Sequence, residues 1–271
     1  MIPTFIYGTA WKEERTKGLV LEALKAGFRA IDTANQRKHY FEAGVGEALK
    51  EAYATGLVKR EDLFLQTKFT HLPGQDHRLP YDSKADIGTQ VLQSFQSSLE
   101  HLGTDRLDSY VLHGPTRRVG LGPDDWGAWK AMEEIHDLGR VGALGVSNVT
   151  AEQLKLLHKE ARIKPLFAQI RTYADTGWEA DTRDVCRRFG IQFQGFSLLT
   201  ANGEVARMPA FQEIVRRTGF TPAQVIFAFC RQAGMIPMTG TTNAQHMGED
   251  LASLSMELSS GDVATIESLS A

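Results

Sequence analysis

Eight short apolar segments recur along the chain, separated by longer stretches in which apolar residues have helical spacing. Short apolar runs bounded by turn residues are typical of buried parallel strands. We therefore predict strands at Phe5–Thr9, Phe28–Asp32, Leu63–Lys68, Leu107–His113, Val141–Ser147, Leu166–Ile170, Ile191–Phe196 and Met235–Thr239. Eight strand–helix repeats in 271 residues are the proportions of a (β/α)8 or TIM barrel, and we expect one such α/β domain over residues 1–271.

The intervening stretches contain signals for the beginnings and ends of helices. An apolar stripe runs from Ile87 to Leu102 at spacings of three and four residues, and Gly103 provides a stop. A doubly wound open sheet is the alternative fold, but the segment FIYGTAWKEE has no G-x-G-x-x-G phosphate loop. Capping boxes mark two further helix starts, at Thr150 with Gln153 and at Thr221 with Gln224.

The composition argues against several classes of function. Thirty basic residues against 33 acidic ones leave a formal charge of −3, so neither nucleic acid nor an anionic membrane is expected as a partner. No apolar run approaches the ~18 residues that cross a bilayer, and the N-terminus lacks the pattern of a secretory signal. Cys186 and Cys230 are far apart in sequence, and we expect a reducing, cytoplasmic setting. The oligomeric state stays open.

Ionisable residues stand at the carboxyl ends of three neighbouring predicted strands, namely Asp32, Lys68 and His113. Those strand ends meet at one mouth of a barrel, where barrel enzymes build their sites. A structural ion pair or hydrogen bond would explain any one of them alone. Tyr40 lies in the loop after the second strand, and a nearby ammonium would lower the pKa of its phenol from about 10. Such a set suits a general acid that protonates a carbonyl oxygen.

The chain resembles the aldo-keto reductase family in motifs that follow in order along nearly its whole length: GFRAIDTA, VGEAL, REDLFLQTKF, LDSYVLHGP and GRVGALGVSN. The resemblance implies hydride transfer between a nicotinamide cofactor and an aldehyde or ketone, or the reverse oxidation of an alcohol or sugar. It implies Tyr40 as proton donor, Lys68 as the group that lowers its pKa, Asp32 as the partner of that lysine, and His113 as the residue that orients the substrate carbonyl.

The resemblance also implies a cofactor site at the strand ends. Ser147, Asn148 and Gln169 would hold the nicotinamide carboxamide. Phe196 would stack on the ring where the family often has tyrosine, although Phe196 alone would equally suit barrel packing. The remaining implied cofactor residues are Thr9, Ser197, Leu199, Thr239, Gly240, Thr241, His246, Glu249 and Asp250. No metal site is expected.

The sequence departs from the family pattern in two places. The loop before Glu42 is two residues longer than usual, so that His39 falls nearer the usual tyrosine position, but only Tyr40 can supply a phenol. Met238 stands where many members have a lysine for the 2′-phosphate of NADP, and His246 falls near their arginine. A thioether cannot pair with a phosphate, although a helix start can still receive an anion. The resemblance keeps NADP(H) as the first expectation, and the departure at Met238 makes NAD(H) possible.

Two other functions stay open on the same fold. One is a nicotinamide-binding regulatory subunit with vestigial catalysis. The other is a lyase that uses Lys68 as a Schiff-base nucleophile, in which the GVSN and AQIR segments would have no role. The N-terminal hairpin and the C-terminal substrate loop of the family are not expected here, which would leave a more open pocket. Four aromatic residues are candidates either for its walls or for packing: Trp11, Phe69, Trp126 and Trp178.

Overall fold

Eight parallel strands close into one barrel, in chain order, in the computed structural model, which describes residues 2–269. Each strand pairs with the next, and the first strand pairs with the last. The strands are β1 (Ile6–Gly8), β2 (Ala30–Asp32), β3 (Phe64–Phe69), β4 (Leu107–Leu112), β5 (Val141–Ser147), β6 (Phe167–Arg171), β7 (Gln192–Phe196) and β8 (Met235–Thr239). All eight predicted strands are confirmed to within two residues at each end, and the doubly wound open sheet is excluded.

Helices surround the barrel between these strands and after the last one. Two helices rather than one follow β7 and β8. After β7 the break has a local cause, because Gly219 ends one helix with a left-handed φ of 72° and Pro222 begins the next. The helices are α1 (Thr16–Ala26), α2 (Glu42–Ala54), α3 (Ile87–Leu102), α4 (Pro123–Asp137), α5 (Ala151–Glu160), α6 (Ala180–Phe189), α7 (Pro209–Thr218), α8 (Pro222–Gln232), α9 (Ala244–Ala252) and α10 (Ser260–Ser268).

The predicted helix signals are confirmed. Gly103 ends α3 in the left-handed conformation, with a φ of 63°. Thr150 and Thr221 cap α5 and α8, and each accepts a hydrogen bond from the backbone N–H three residues later. These caps fix where the helices start and therefore how long the preceding loops are.

Two apolar cores hold the barrel together. The larger one, the outer core, lies between the strands and the surrounding helices. The smaller one, the inner core, fills part of the barrel interior and includes Phe64, Phe167 and Met238. Because side chains alternate along a strand, the residues two positions after Phe64 and Phe167 share the interior face, and both are glutamines, Gln66 and Gln169. The interior therefore changes from apolar to polar along the strands, towards their carboxyl ends.

The described helices include none that is long and apolar enough to cross a membrane. Cys186 and Cys230 are both buried and both free thiols. The longest loops follow strand ends, as expected, and they lie between β3 and α3, between β4 and α4, and between β7 and α7. All three therefore open at the mouth of the barrel where the ionisable residues stand.

Candidate active site

Four ionisable residues predicted from the sequence lie together at the carboxyl ends of β2, β3 and β4. The Lys68 Nζ donates to Asp32 Oδ2 at 2.6 Å and to the Thr33 carbonyl at 2.8 Å, and both members of this ion pair are buried. The Lys68 Nζ also lies 5.0 Å from the centroid of the Tyr40 ring. The ring of Tyr40 is in turn 5.9 Å from the ring of His113, edge to face. The structure thus brings the proposed general acid and its neighbours into one cluster.

A turn places Tyr40, rather than His39, against Lys68. The backbone amides of His39 and Tyr40 both donate to the Gln36 carbonyl, at 3.1 and 3.0 Å. This turn accommodates the additional length of the loop. The His39 ring packs instead on Trp11, with 4.0 Å between the ring centroids, and Trp11 donates its backbone N–H to the His39 carbonyl at 2.7 Å. The loop length that separates this chain from the family pattern therefore does not displace the phenol from the cluster.

The Tyr40 phenol is held in its protonated form. Burial and the negative charge of Asp32 raise the pKa of Tyr40 above its ordinary value. This direction is opposite to the lowering expected from Lys68, because burial, the larger cause, and the charge of Asp32 outweigh the effect of the ammonium. The hydroxyl makes no hydrogen bond to another residue of the described chain. The phenol is thus free to donate to a ligand.

The imidazole of His113 is neutral. Burial, followed by the charge of Lys68, lowers the pKa of His113 to about 3. Its Nδ1 lies 2.6 Å from the Thr70 hydroxyl oxygen. Sequence reasoning missed Thr70, although its place two residues after Lys68, just beyond β3, is the signal that would have found it. The pair leaves Nε2 of His113 as the nitrogen available to a ligand.

Two cavities have Tyr40 in their walls, and neither is lined by the other three ionisable residues of the cluster. The larger one, about 340 Å³, lies between the β2–α2 loop, the β3–α3 loop and α3. The smaller one, about 240 Å³, is walled by Trp11, His39 and neighbouring charged residues. The other three candidate aromatic residues pack instead: Phe69 and Trp178 are buried in the outer core, and Trp126 packs against it. A ligand in either cavity would contact Tyr40.

The residues expected at the nicotinamide carboxamide form one hydrogen-bonded group at the ends of β5 and β6. Ser147 Oγ donates to the Gln169 carbonyl at 2.7 Å, and Asn148 Nδ2 donates to the His113 carbonyl at 2.8 Å. Gln169 Nε2 donates to Asp32 Oδ1 at 3.0 Å. Within residues 2–269, nothing donates to the side-chain oxygens of Asn148 and Gln169. Two amide acceptors are therefore left for the N–H groups of a carboxamide.

The end of β7 supplies the aromatic residue expected beside the nicotinamide. Phe196 is partly buried and packs against the inner core. Because it ends β7, its ring also lies at the mouth of the barrel. Ser197 follows with a φ of 58°, in the left-handed region that a serine rarely adopts. Leu199 packs against the outer core. The backbone thus turns sharply where the cofactor path is expected, which is typical of functional sites.

Three of the residues expected at the adenosine end bond to one another. Thr239 Oγ1 donates to Asp250 Oδ2 at 2.8 Å and accepts from the Thr241 backbone N–H at 3.3 Å. Burial raises the pKa of Asp250 to about 6. Two further expected cofactor residues bond elsewhere: Thr9 donates to the Asp32 carbonyl at 2.9 Å, and Glu249 accepts from Gln245 at 2.6 Å. His246 is exposed on α9, and Met238 contributes packing rather than charge.

Lys12 is a buried cation beside this region that the sequence gave no reason to select. Its side chain packs over the Tyr7 ring, with Nζ 5.2 Å from the centroid, and the residue is 3% exposed. Lys12 Nζ donates to the Gly240 carbonyl at 2.7 Å and makes no other hydrogen bond to the described residues. Burial, reinforced by Arg15, lowers the pKa of Lys12 to about 8. A charged group with unused N–H donors at this place fits a phosphate ligand.

Comparison with known proteins gives consistent results. The model of the Aldo/keto reductase family matches residues 5–271. An aldo-keto reductase of Mycolicibacterium smegmatis is 33% identical over 94% of this chain and 85% of its own length. Glyoxal reductase of Bacillus subtilis is 31% identical over 92% of this chain and 82% of its own length.

Solved structures agree with the sequence matches. Aldo-keto reductase AKR2E4 of Bombyx mori, in complex with NADP, is similar at a TM-score of 0.81 and 26% identity, over 98% of this chain and 88% of that one. Aldo-keto reductase AKR2E5, complexed with NADPH, is similar at a TM-score of 0.84 and 25% identity, over 99% and 84% of the two chains. With its closed eight-stranded barrel and a family match from residue 5 onwards, the chain belongs to the aldo/keto reductase family.

Proposed function

We propose that this protein transfers a hydride between a nicotinamide cofactor and an aldehyde or ketone, or runs the reverse oxidation of an alcohol or sugar. The observation that carries the proposal is the protonated, unbonded phenol of Tyr40 beside the buried Lys68–Asp32 pair. A carbonyl oxygen gains negative charge as hydride reaches its carbon, and a positioned acid that protonates it lowers the barrier. Tyr40 is the acid in this proposal, and it acts as the base in the oxidation direction.

Lys68 supports the proton transfer through its charge. As the phenol loses its proton to the substrate, negative charge develops on the Tyr40 oxygen. The ammonium of Lys68, fixed by Asp32 and the Thr33 carbonyl, cannot move away from it. A fixed charge in a buried site stabilises the developing charge without reorganisation. Lys68 therefore favours the transition state more than the resting phenol.

His113 orients the substrate carbonyl. A neutral imidazole has one N–H, and the tautomer depends on the partner of the other nitrogen. When the Thr70 hydroxyl donates to Nδ1, Nε2 carries the proton and donates to the carbonyl oxygen. The proposal is supported by the 2.6 Å contact between Thr70 and Nδ1 and by the low pKa of His113.

The residues at the strand ends fit a nicotinamide cofactor, which supplies the hydride when bound. Asn148 and Gln169 would hold the carboxamide through their free amide oxygens, and Phe196 would lie against the ring. Lys12 would bind a cofactor phosphate through its unused N–H groups, which compensates for the missing cation at Met238. We propose NADP(H) as the cofactor, because the similar AKR2E4 and AKR2E5 structures hold NADP and NADPH. NAD(H) is the alternative.

The substrate class in this proposal is a small carbonyl compound. The name of the Bacillus subtilis relative places glyoxal on the panel of substrates to be tested. The setting proposed for this chemistry is the cytoplasm, which is in keeping with two buried free thiols.

Substitution of Tyr40 by phenylalanine tests the proposal. The change removes the proton donor and keeps the ring, so kcat for every carbonyl reduced by the wild type should fall at least about 100-fold. The affinity for NADPH, measured by fluorescence, should stay within about threefold. Tyr53→Phe on α2 is a matched control, since it also removes a phenol with no hydrogen-bond partner. Near-normal turnover by Tyr40→Phe would contradict the mechanism.

Two further measurements separate the alternatives. A wild-type protein that binds NADPH and turns over no carbonyl on the panel would indicate the regulatory subunit. Trapping of a substrate on Lys68 by borohydride would indicate the lyase. The free amide acceptors on Asn148 and Gln169 favour the reductase, because a Schiff-base lyase has no use for them.

A further inference from the structure

Three glutamines occupy the barrel interior next to the catalytic cluster. Gln66 lies on β3, two residues before Lys68, Gln169 lies on β6 and Gln194 lies on β7. Their exposed fractions are 1%, 4% and 0%. Interiors of such barrels are dominated by branched apolar side chains, and a buried amide costs free energy unless it is hydrogen-bonded. The three amides therefore need partners, and they find them in Asp32 and in one another.

These four residues form a closed ring of hydrogen bonds, here called the glutamine ring. Gln66 Nε2 donates to Asp32 Oδ1 at 2.8 Å and to Gln194 Oε1 at 2.8 Å. Gln169 Nε2 donates to the same two oxygens, at 3.0 and 3.1 Å. Gln194 Nε2 donates back to Gln66 Oε1 at 3.1 Å. The ring spans the barrel from β2 and β3 to β6 and β7.

The orientation of every amide in the ring follows from Asp32. Its carboxylate is paired with Lys68 through Oδ2, so Oδ1 can only accept. Gln66 and Gln169 must therefore turn their NH2 groups towards it. Each has a second N–H, and the oxygen of Gln194 accepts both. Gln169 Oε1 is then the one amide oxygen of the ring that receives no donor from the described residues.

We propose that Gln66 and Gln194 are positioning residues for hydride transfer. They hold Asp32 on Lys68, and they hold Gln169 with its amide oxygen towards the nicotinamide carboxamide. One buried network thereby aligns the general acid and the cofactor ring. This inference rests on the proposed function, and it concerns two residues that touch neither substrate nor cofactor.

The test replaces each glutamine by methionine, which keeps the length of the side chain and removes the amide. In Gln66→Met and Gln194→Met, kcat should fall about tenfold or more with KM for the carbonyl within about threefold, because the lost contacts hold transition-state geometry. Affinities are measured for NADPH and for its 3-acetylpyridine analogue, in which a methyl group replaces the carboxamide NH2. Wild type should bind NADPH about tenfold or more tighter than the analogue, and each variant should lose at least about fivefold of that preference.

Two further variants make the test specific. Gln232→Met removes an amide that bonds the backbone of Leu258, at 2.9 and 2.8 Å, beyond the amino end of β8. It should leave kcat and the cofactor preference unchanged. Gln66→Glu keeps the shape, but an ionised carboxylate cannot donate to Asp32. Its kcat relative to wild type should therefore rise as the pH is lowered, because a protonated carboxyl regains one donor. If the methionine variants fail to fold, the pH dependence of kcat in Gln66→Glu tests the inference.

Folded Gln66→Met and Gln194→Met variants with wild-type kcat and wild-type cofactor preference would overturn the inference. Equal losses in Gln232→Met would overturn it as well, because the effect would then be general. The affinity measurements need no turnover. A wild-type protein that binds NADPH without reducing carbonyls would therefore refute the proposed function, while the preference for NADPH over the analogue would still decide the role of the ring.

Discussion

Single side chains determine which atoms are free to react. Tyr40 keeps an unbonded hydroxyl, while the nitrogen Nδ1 of His113 is occupied by Thr70. The pKa values of both residues are moved chiefly by burial, upwards for the phenol and downwards for the imidazole. Both groups are therefore protonated as donors require, the phenol on its oxygen and the neutral imidazole on one nitrogen. The tautomer of His113 then decides which of its ring nitrogens can donate to a ligand.

Thr70→Val removes the hydroxyl that contacts His113 and keeps the shape of the side chain. The imidazole loses the partner that selects the tautomer with the proton on Nε2. We expect kcat to fall about tenfold, which corresponds to one neutral hydrogen bond of about 1.4 kcal/mol. Steady-state kinetics on the best carbonyl substrate measure this change. Thr70→Ser retains the hydroxyl and should keep most of the activity, and equal activity in both variants would argue against the role of Thr70.

The elements place these side chains through tight contacts between helices. Gly46 on α2 faces the C-terminal end of α3. A Cβ at this position would lie 1.8 Å from the His101 carbonyl oxygen, so only glycine allows the two helices to approach so closely. The helix α2 begins directly after the Tyr40 loop, and its position therefore affects the candidate site.

Gly46→Ala should destabilise the protein by about 3 kcal/mol, because the added methyl group forces α2 and α3 apart. Urea denaturation measures the free energy of unfolding. Gly18→Ala on α1 is the matched control, since nothing lies within 4 Å of its Cβ position, and it should stabilise by about 0.5–1 kcal/mol. A Gly46→Ala protein as stable as the wild type would show that the helices can separate at little cost.

The whole molecule has a formal charge of −3, yet the proposed cofactor is a polyanion. Long-range attraction cannot supply the affinity, so local donors must do so. Lys12 is such a local donor. It lies where β1 pairs with β8 to close the barrel, because its loop follows β1 and its side chain bonds Gly240 after β8. Burial keeps its pKa near 8, which makes its charge sensitive to pH in the neutral to alkaline range.

The affinity for NADPH should decrease as the pH rises above about 8. Lys12 binds an anion only when protonated, and above its pKa each further pH unit weakens binding by up to about tenfold. Lys12→Met should bind NADPH at least about tenfold more weakly at pH 7 and lose this pH dependence. Fluorescence titration between pH 7 and 9 measures both effects. Lys59→Met, at the opposite end of the barrel, changes the net charge equally and should follow the wild type.

Local patterns predicted the frame of the protein. Each strand is predicted from a short apolar run. The residues that cap α5 and α8 bond a backbone N–H only three residues later in the sequence. Asp32, Tyr40, Lys68 and His113 were selected from strand ends and family motifs. Thr70 was missed although it lies two residues after Lys68, just beyond β3. Lys12 did not follow, because a lysine in a loop after a strand has no local pattern that sets it apart.

The sequence by itself thus determined the barrel, its order of strands and the residues at its mouth, because these depend on apolar periodicity and short-range hydrogen bonds. Only the tertiary structure decided how these residues are tuned. The hydrogen bond between Gln66 and Gln194 joins residues 128 positions apart. The burial that raises the pKa of Tyr40 and lowers that of Lys12 comes from several elements at once. Desolvation and amide orientation are properties of the surroundings in space, and no run of neighbouring residues encodes them.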